Sequence, residues 1–138
     1  WMGFTDQDTL SYVWNNDSPQ TWGWRQGPKI PKDEWAFVAV VIEPDKATAY
    51  VYTDSEGLRK GINQIPHIQQ TVENLKFGWD ECCGPGRHFK GIIDEVMIYN
   101  RALSEDEIRQ NFQAKGLSVR PAGKLATVWG EVKSRVLR

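Results

Sequence analysis

The chain has 138 residues, 40% of them hydrophobic and 25% charged, with a formal net charge of −1. That length fits one domain, whose folding buries roughly two thirds of the unfolded surface. The near-zero charge argues against a nucleic-acid binder, which carries a strong basic excess, and no stretch approaches the ~20 apolar residues that cross a bilayer. No charged-then-apolar leader is visible. Trp1 opens directly into sequence that reads as folded, which leads us to expect a piece of a longer product.

Seven tryptophans, Trp1, Trp14, Trp22, Trp24, Trp35, Trp79 and Trp129, point to a β-rich fold with broad flat surfaces to cover. In chain order, Thr9–Trp14 reads as a strand ended by the turn formers Asn15 to Pro19. Thr21–Gln26 follows, with Trp22 and Trp24 on one face if the segment is extended. Gly27, Pro28 and Pro31 then break the chain. Trp35–Ile42 is almost continuously apolar, the pattern of a strand buried on both faces. Glu43-Pro44-Asp45-Lys46 turns, and Ala47–Thr53 returns with Ala47, Ala49 and Val51 alternating against Thr48, Tyr50 and Tyr52. This is the clearest hairpin.

The charged, glycine-containing stretch Asp54–Gly61 reads as a loop, and Pro66 demotes Ile62–Gln70 to an edge or irregular segment. Leu75–Trp79 is predicted as a short strand, Asp80–Arg87 as a loop tipped by Gly84-Pro85-Gly86, and Lys90–Tyr99 as a long final strand. A helix is predicted near 104–115: Ser104 and Glu107 form a capping box, Glu105 and Asp106 suit its first turn, and Gly116 supplies the stop. The Lys/Arg-containing segment Leu117–Arg138 holds two possible terminal strands; its charges are spread out and read as a solvated extension. Many short strands with one brief helix indicate an all-β sandwich or jelly roll.

Three motifs carry a family resemblance. Trp35-Ala36-Phe37-Val38-Ala39-Val40-Val41, followed by Ala47 to Tyr52, is similar to a "W-x-x-V-A-V" strand paired with an "A-x-L-Y-V-D-G" strand. Phe89-Lys90-Gly91-Ile92-Ile93-Asp94-Glu95-Val96-Met97-Ile98-Tyr99-Asn100-Arg101-Ala102-Leu103-Ser104, running into Glu105 to Ile108, resembles a closing strand and helix at nearly every position. Leu75-Lys76-Phe77-Gly78 fits "L-x-I-G". These are motifs of laminin-G-like jelly rolls of the concanavalin A-like lectin and glucanase superfamily, found in bacterial secreted and surface proteins. The resemblance implies a two-sheet antiparallel jelly-roll sandwich over residues 1–116, with 117–138 as an extension. The motifs belong to the C-terminal part of such a module, so a further segment or another chain is expected to complete the sandwich.

The resemblance implies a non-catalytic recognition module on a secreted or surface protein, binding glycan or an extracellular protein. The alternatives are an adhesion or structural module, or a fragment of a jelly-roll glycosidase whose catalytic pair lies elsewhere. Retaining glucanases of this fold place two carboxylates about 5 Å apart on one strand; Asp94 and Glu95 are adjacent and would face opposite ways. The resemblance also implies a structural Ca²⁺ at Asp94, and the competing reading is a hydrogen bond to backbone or to an arginine. Trp22, Trp24 and Arg25 are candidates for stacking on and bonding to a sugar, against the simpler reading that the rings cover a sheet. Asp80 and Arg87 join them as polar candidates from the glycine-tipped loop. In that loop Cys82 and Cys83 either close a vicinal disulfide or stay as thiols; adjacent thiolates bind one zinc poorly. His67, among apolar neighbours, reads as structural.

Overall fold

A computed structural model describes residues 2–5, 7–14, 19–22, 24–71, 75–79 and 88–114. They form two antiparallel sheets and two helices. The first sheet pairs β1 (Met2–Phe4) with β2 (Leu10–Tyr12), with Met2 opposite Tyr12 and Phe4 opposite Leu10. The other edge of this sheet meets the 28–30 segment: Leu10 N–H donates to the Pro28 carbonyl at 2.9 Å and Ile30 N–H to the Asp8 carbonyl at 2.8 Å. After β2 the chain makes a short helix, α1 (Pro19–Trp22). The second sheet has the order β3–β4–β5, from β3 (Phe37–Ile42), β4 (Ala47–Thr53) and β5 (Gly57–Asn63). This is the all-β, two-sheet antiparallel class expected from the sequence.

The β3–β4 hairpin forms as predicted, with Phe37 opposite Tyr52 and Ile42 opposite Ala47. Its turn is closed by Glu43 N–H donating to the Lys46 carbonyl at 2.8 Å. The strand buried on both faces is β4 rather than β3, however. Ala47, Ala49 and Val51 are at most 1% exposed on one face, while Thr48 and Tyr50 are buried on the other. Being central protects β4, whereas β3 lies at the sheet edge and stays mostly half-buried.

Other expectations need correction. Residues 57–61 are strand, not loop: after the Asp54–Glu56 turn the chain folds back as β5, with Thr53 opposite Gly57. Gly57 takes a φ of 72°, a left-handed conformation that glycine adopts without steric cost. The charges that made this stretch look like a loop, Arg59 and Lys60, suit a sheet edge, where charge discourages pairing with another chain. Residues 19–22 are helical, so Trp22 and Trp24 do not share a strand face. The Leu75–Trp79 and Lys90–Tyr99 segments are not strands either. Glu95 has a φ of 53°, which interrupts any extended run, and no described strand lies alongside to supply ladder partners.

The sheets face each other through β2 and β4. Leu10, Tyr12, Trp24, Ala47, Ala49 and Val51 form the core, bordered by Trp14, Ile30, Ala36, Val38, Val40 and Ile42. Tyr12 and Trp24 meet edge to face at 5.5 Å, a favoured aromatic geometry.

The chain divides into two units, residues 1–105 and 106–138. The second contains most of α2 (Glu105–Gln113), the helix expected near 104–115, with Ile108 buried. The extension 117–138 lies outside the described residues.

Candidate ligand-binding surface

Among the described residues, exposed aromatic side chains gather where the chain enters and leaves the 80–87 stretch. Trp79 and His88 form an isolated antiparallel bridge, and Phe89 N–H donates to the Gly78 carbonyl at 2.8 Å. These backbone bonds hold the two rings side by side, 6.2 Å apart and only 8° from parallel. Trp79 is nevertheless 50% exposed. The Lys76 ammonium sits 5.4 Å from the Trp79 ring centre, a cation–π contact that fixes a positive charge at the aromatic surface. Phe89 in turn touches Phe4 of β1, with ring centres 5.8 Å apart. A planar, half-exposed indole beside a cation can hold the flat C–H face of a ring-shaped ligand while a neighbour hydrogen-bonds to its rim.

The residues singled out from the sequence fall in several places. Trp24 is 6% exposed and belongs to the core, so for this residue the sheet-covering reading holds and its ring is not offered to a ligand. The reason is local. With α1 ending at Trp22, Trp24 N–H bonds to the Thr21 carbonyl and the chain turns inward, where Ser11 Oγ donates to the Trp24 carbonyl at 2.9 Å. Trp22 lies on α1 and its side chain is outside the described set, while Arg25 is exposed. Asp80, Arg87, Cys82 and Cys83 fall outside the described residues.

Asp94 is exposed and its Oδ1 accepts the Glu95 N–H at 2.9 Å. Among the described residues no group of three or more His, Cys, Asp and Glu side chains is placed to hold a metal ion.

His67 lies in the interior. Its Nε2 is 2.8 Å from the Tyr12 hydroxyl, which also receives a bond from Asn63 Nδ2 at 2.9 Å. Burial lowers the pKa of His67 from its ordinary value against an opposing pull from the Ile65 backbone. Burial likewise raises that of Tyr12, with the Asn63 bond working in the other direction.

Sequence reasoning did not pick Trp79, His88 or Lys76 as ligand contacts, although it set Trp79 among the seven tryptophans and His88 beside the two cysteines. The signal was present: an aromatic and an imidazole flank the glycine-tipped loop, immediately outside Asp80 and Arg87.

A family model described as the concanavalin A-like lectin/glucanases superfamily, of laminin-G type, matches residues 1–109. The chain belongs to this superfamily. No curated protein and no solved structure matches it. As a concanavalin A-like domain, the chain carries both sheets and the Trp79–His88 surface within the matched span, and most of the 117–138 extension's preceding helix as well. The superfamily fits a module that binds carbohydrate or protein, and no helix among the described residues is long and apolar enough to cross a membrane. The concanavalin A-like scaffold hosts both lectins and glucanases, so function has to be argued from the site.

Proposed function

We propose that this chain is a non-catalytic recognition module of a secreted or surface protein and that it binds carbohydrate through the Trp79–His88 surface. The observation that carries the reading is a half-exposed indole held near-parallel to an imidazole by backbone bonds between residues 78–79 and 88–89. Such a platform is ordered before ligand arrives, so little side-chain entropy is lost on binding. Asp80 and Arg87 adjoin the two rings in sequence and supply polar groups of the kind a sugar needs.

The test is a glycan array read with the intact chain and with Trp79→Ala and His88→Ala. Loss of one stacking ring weakens binding by about tenfold, while the melting temperature barely moves because both rings are exposed. A glycan bound equally well by both variants rules out this surface.

A second reading draws on a different observation. Ile92, Val96, Met97, Ile98 and Tyr99 are all exposed, Ile92 by 75% and Ile98 by 62%. A run of this kind fits a protein ligand better than a sugar. An array blank for every glycan, together with a protein interaction lost in Ile98→Asp, favours it.

A further inference from the structure

His67 is the one buried side chain of the 64–71 segment that follows β5. It is 7% exposed, and its ring enters the interior beside Tyr12, with centres 5.7 Å apart. Two other bonds hold the segment: His67 N–H donates to the Pro44 carbonyl at 2.8 Å, and Trp14 Nε1 donates to the Ile68 carbonyl at 2.7 Å.

The hydrogen bonds fix which form of the imidazole fits. Asn63 Nδ2 also reaches the Gln20 carbonyl at 3.3 Å. A carbonyl only accepts, so the amide nitrogen, not its oxygen, faces that way. The same nitrogen donates to the Tyr12 oxygen. The phenol proton is then free to go to His67 Nε2, which must be unprotonated to receive it. In that tautomer the ring proton sits on Nδ1, which is buried with no partner at hydrogen-bonding geometry, although the Ile65 backbone still favours a proton on the ring. Only a neutral imidazole satisfies this arrangement.

We propose that His67 is an acid-released latch: a proton taken from solvent at Nε2 ejects the imidazole and frees the 64–71 segment from the two sheets. That proton occupies the lone pair that accepted the Tyr12 O–H, so two donors face each other across 2.8 Å. Tyr12 must then turn its hydroxyl proton away from His67, giving up that bond, while a charged ring stays buried. Among the described residues no charged side chain offsets this, and the opposing pull of the Ile65 backbone is outweighed by burial. Tyr12 is the titratable side chain in contact. On the turn that binds His67 N–H, Glu43 pairs with Lys46 at 3.3 Å and Asp45 is exposed.

The sign follows from linkage. Burial places the closed-state pKa of His67 below the ordinary 6.5 that applies once the segment opens. The open state therefore binds protons more readily. The latch is fully closed above pH 6.5 and weakens as pH falls through the window below it.

Amide hydrogen exchange on the full chain, corrected for intrinsic rates, with imidazole nitrogen shifts followed by NMR, tests this. His67 should titrate below 6.5, and protection of the 67–70 amides should fall by up to about tenfold per pH unit as the pH drops from 6.5 towards its midpoint. The β4 amides should hold over the same range. His67→Gln should open the segment at neutral pH and remove the dependence. Titration at or above the ordinary value overturns the proposal, as does equal loss of protection in β4 or an unchanged acid response in His67→Gln. If the variant does not fold, the wild-type titration and exchange profiles decide alone.

Discussion

Gly61 marks a point where segments remote in sequence meet backbone to backbone. A Cβ there would run into the Gln26 carbonyl and lie 3.1 Å from the Gly27 Cα, and a Cβ on Gly27 would run into the Leu10 carbonyl. Both glycines are required by close approach, because none of the atoms in the way can rotate aside. Gly61→Ala is expected to destabilise the fold by about 1–3 kcal/mol through overpacking, measured by urea denaturation. An unchanged midpoint would mean that the 26–27 segment can move away. Trp24 teaches a related lesson about reading single residues. Its aromatic character announced a large planar surface, but whether that surface faced ligand or core depended on α1, whose four residues no periodicity could reveal.

Among the elements, β4 was the most legible. Ala47, Ala49 and Val51 alternate in the sequence and all three reach the core, because a strand's two-residue period sends alternate side chains to one face. Val51→Ala removes two buried methyl groups from a site with no exposure and should cost about 2 kcal/mol. The measurement is the urea midpoint at unchanged slope. A loss under about 0.5 kcal/mol would place Val51 outside the cooperative core. The errors concern edges and partners. β5 was hidden because Arg59 and Lys60, with glycines on both sides, look like a loop unless a neighbouring strand is known to be there. The 90–99 segment was misread for the opposite reason. Its β-branched and aromatic residues carry strand propensity, but a strand is completed by its ladder, and here Glu95 adopts a left-handed backbone.

At the scale of the whole molecule, stability rests on contact between two sheets that have few strands each. Trp24 belongs to neither sheet, yet it packs on Tyr12 of β2 within the cluster that also contains Ala47, Ala49 and Val51 of β4. Trp24→Ala should therefore cost about 3–5 kcal/mol and weaken both sheets together. Loss of near-ultraviolet dichroism with retained far-ultraviolet signal and dye binding would be the signature. If only the β1–β2 sheet loosens, Trp24 is a local cover and not a common anchor.

The all-β class, the β3–β4 hairpin, the helix after Ser104 and the superfamily could all be read from the amino acids, since each depends on local period, capping or a contiguous motif. Tertiary structure alone decided that Trp24 is buried, that His67 bonds to Tyr12, and that Trp79 and His88 stack in the open. Each of these pairs residues brought together by chain reversals, and burial or exposure is a property of the surroundings that a side chain does not carry with it.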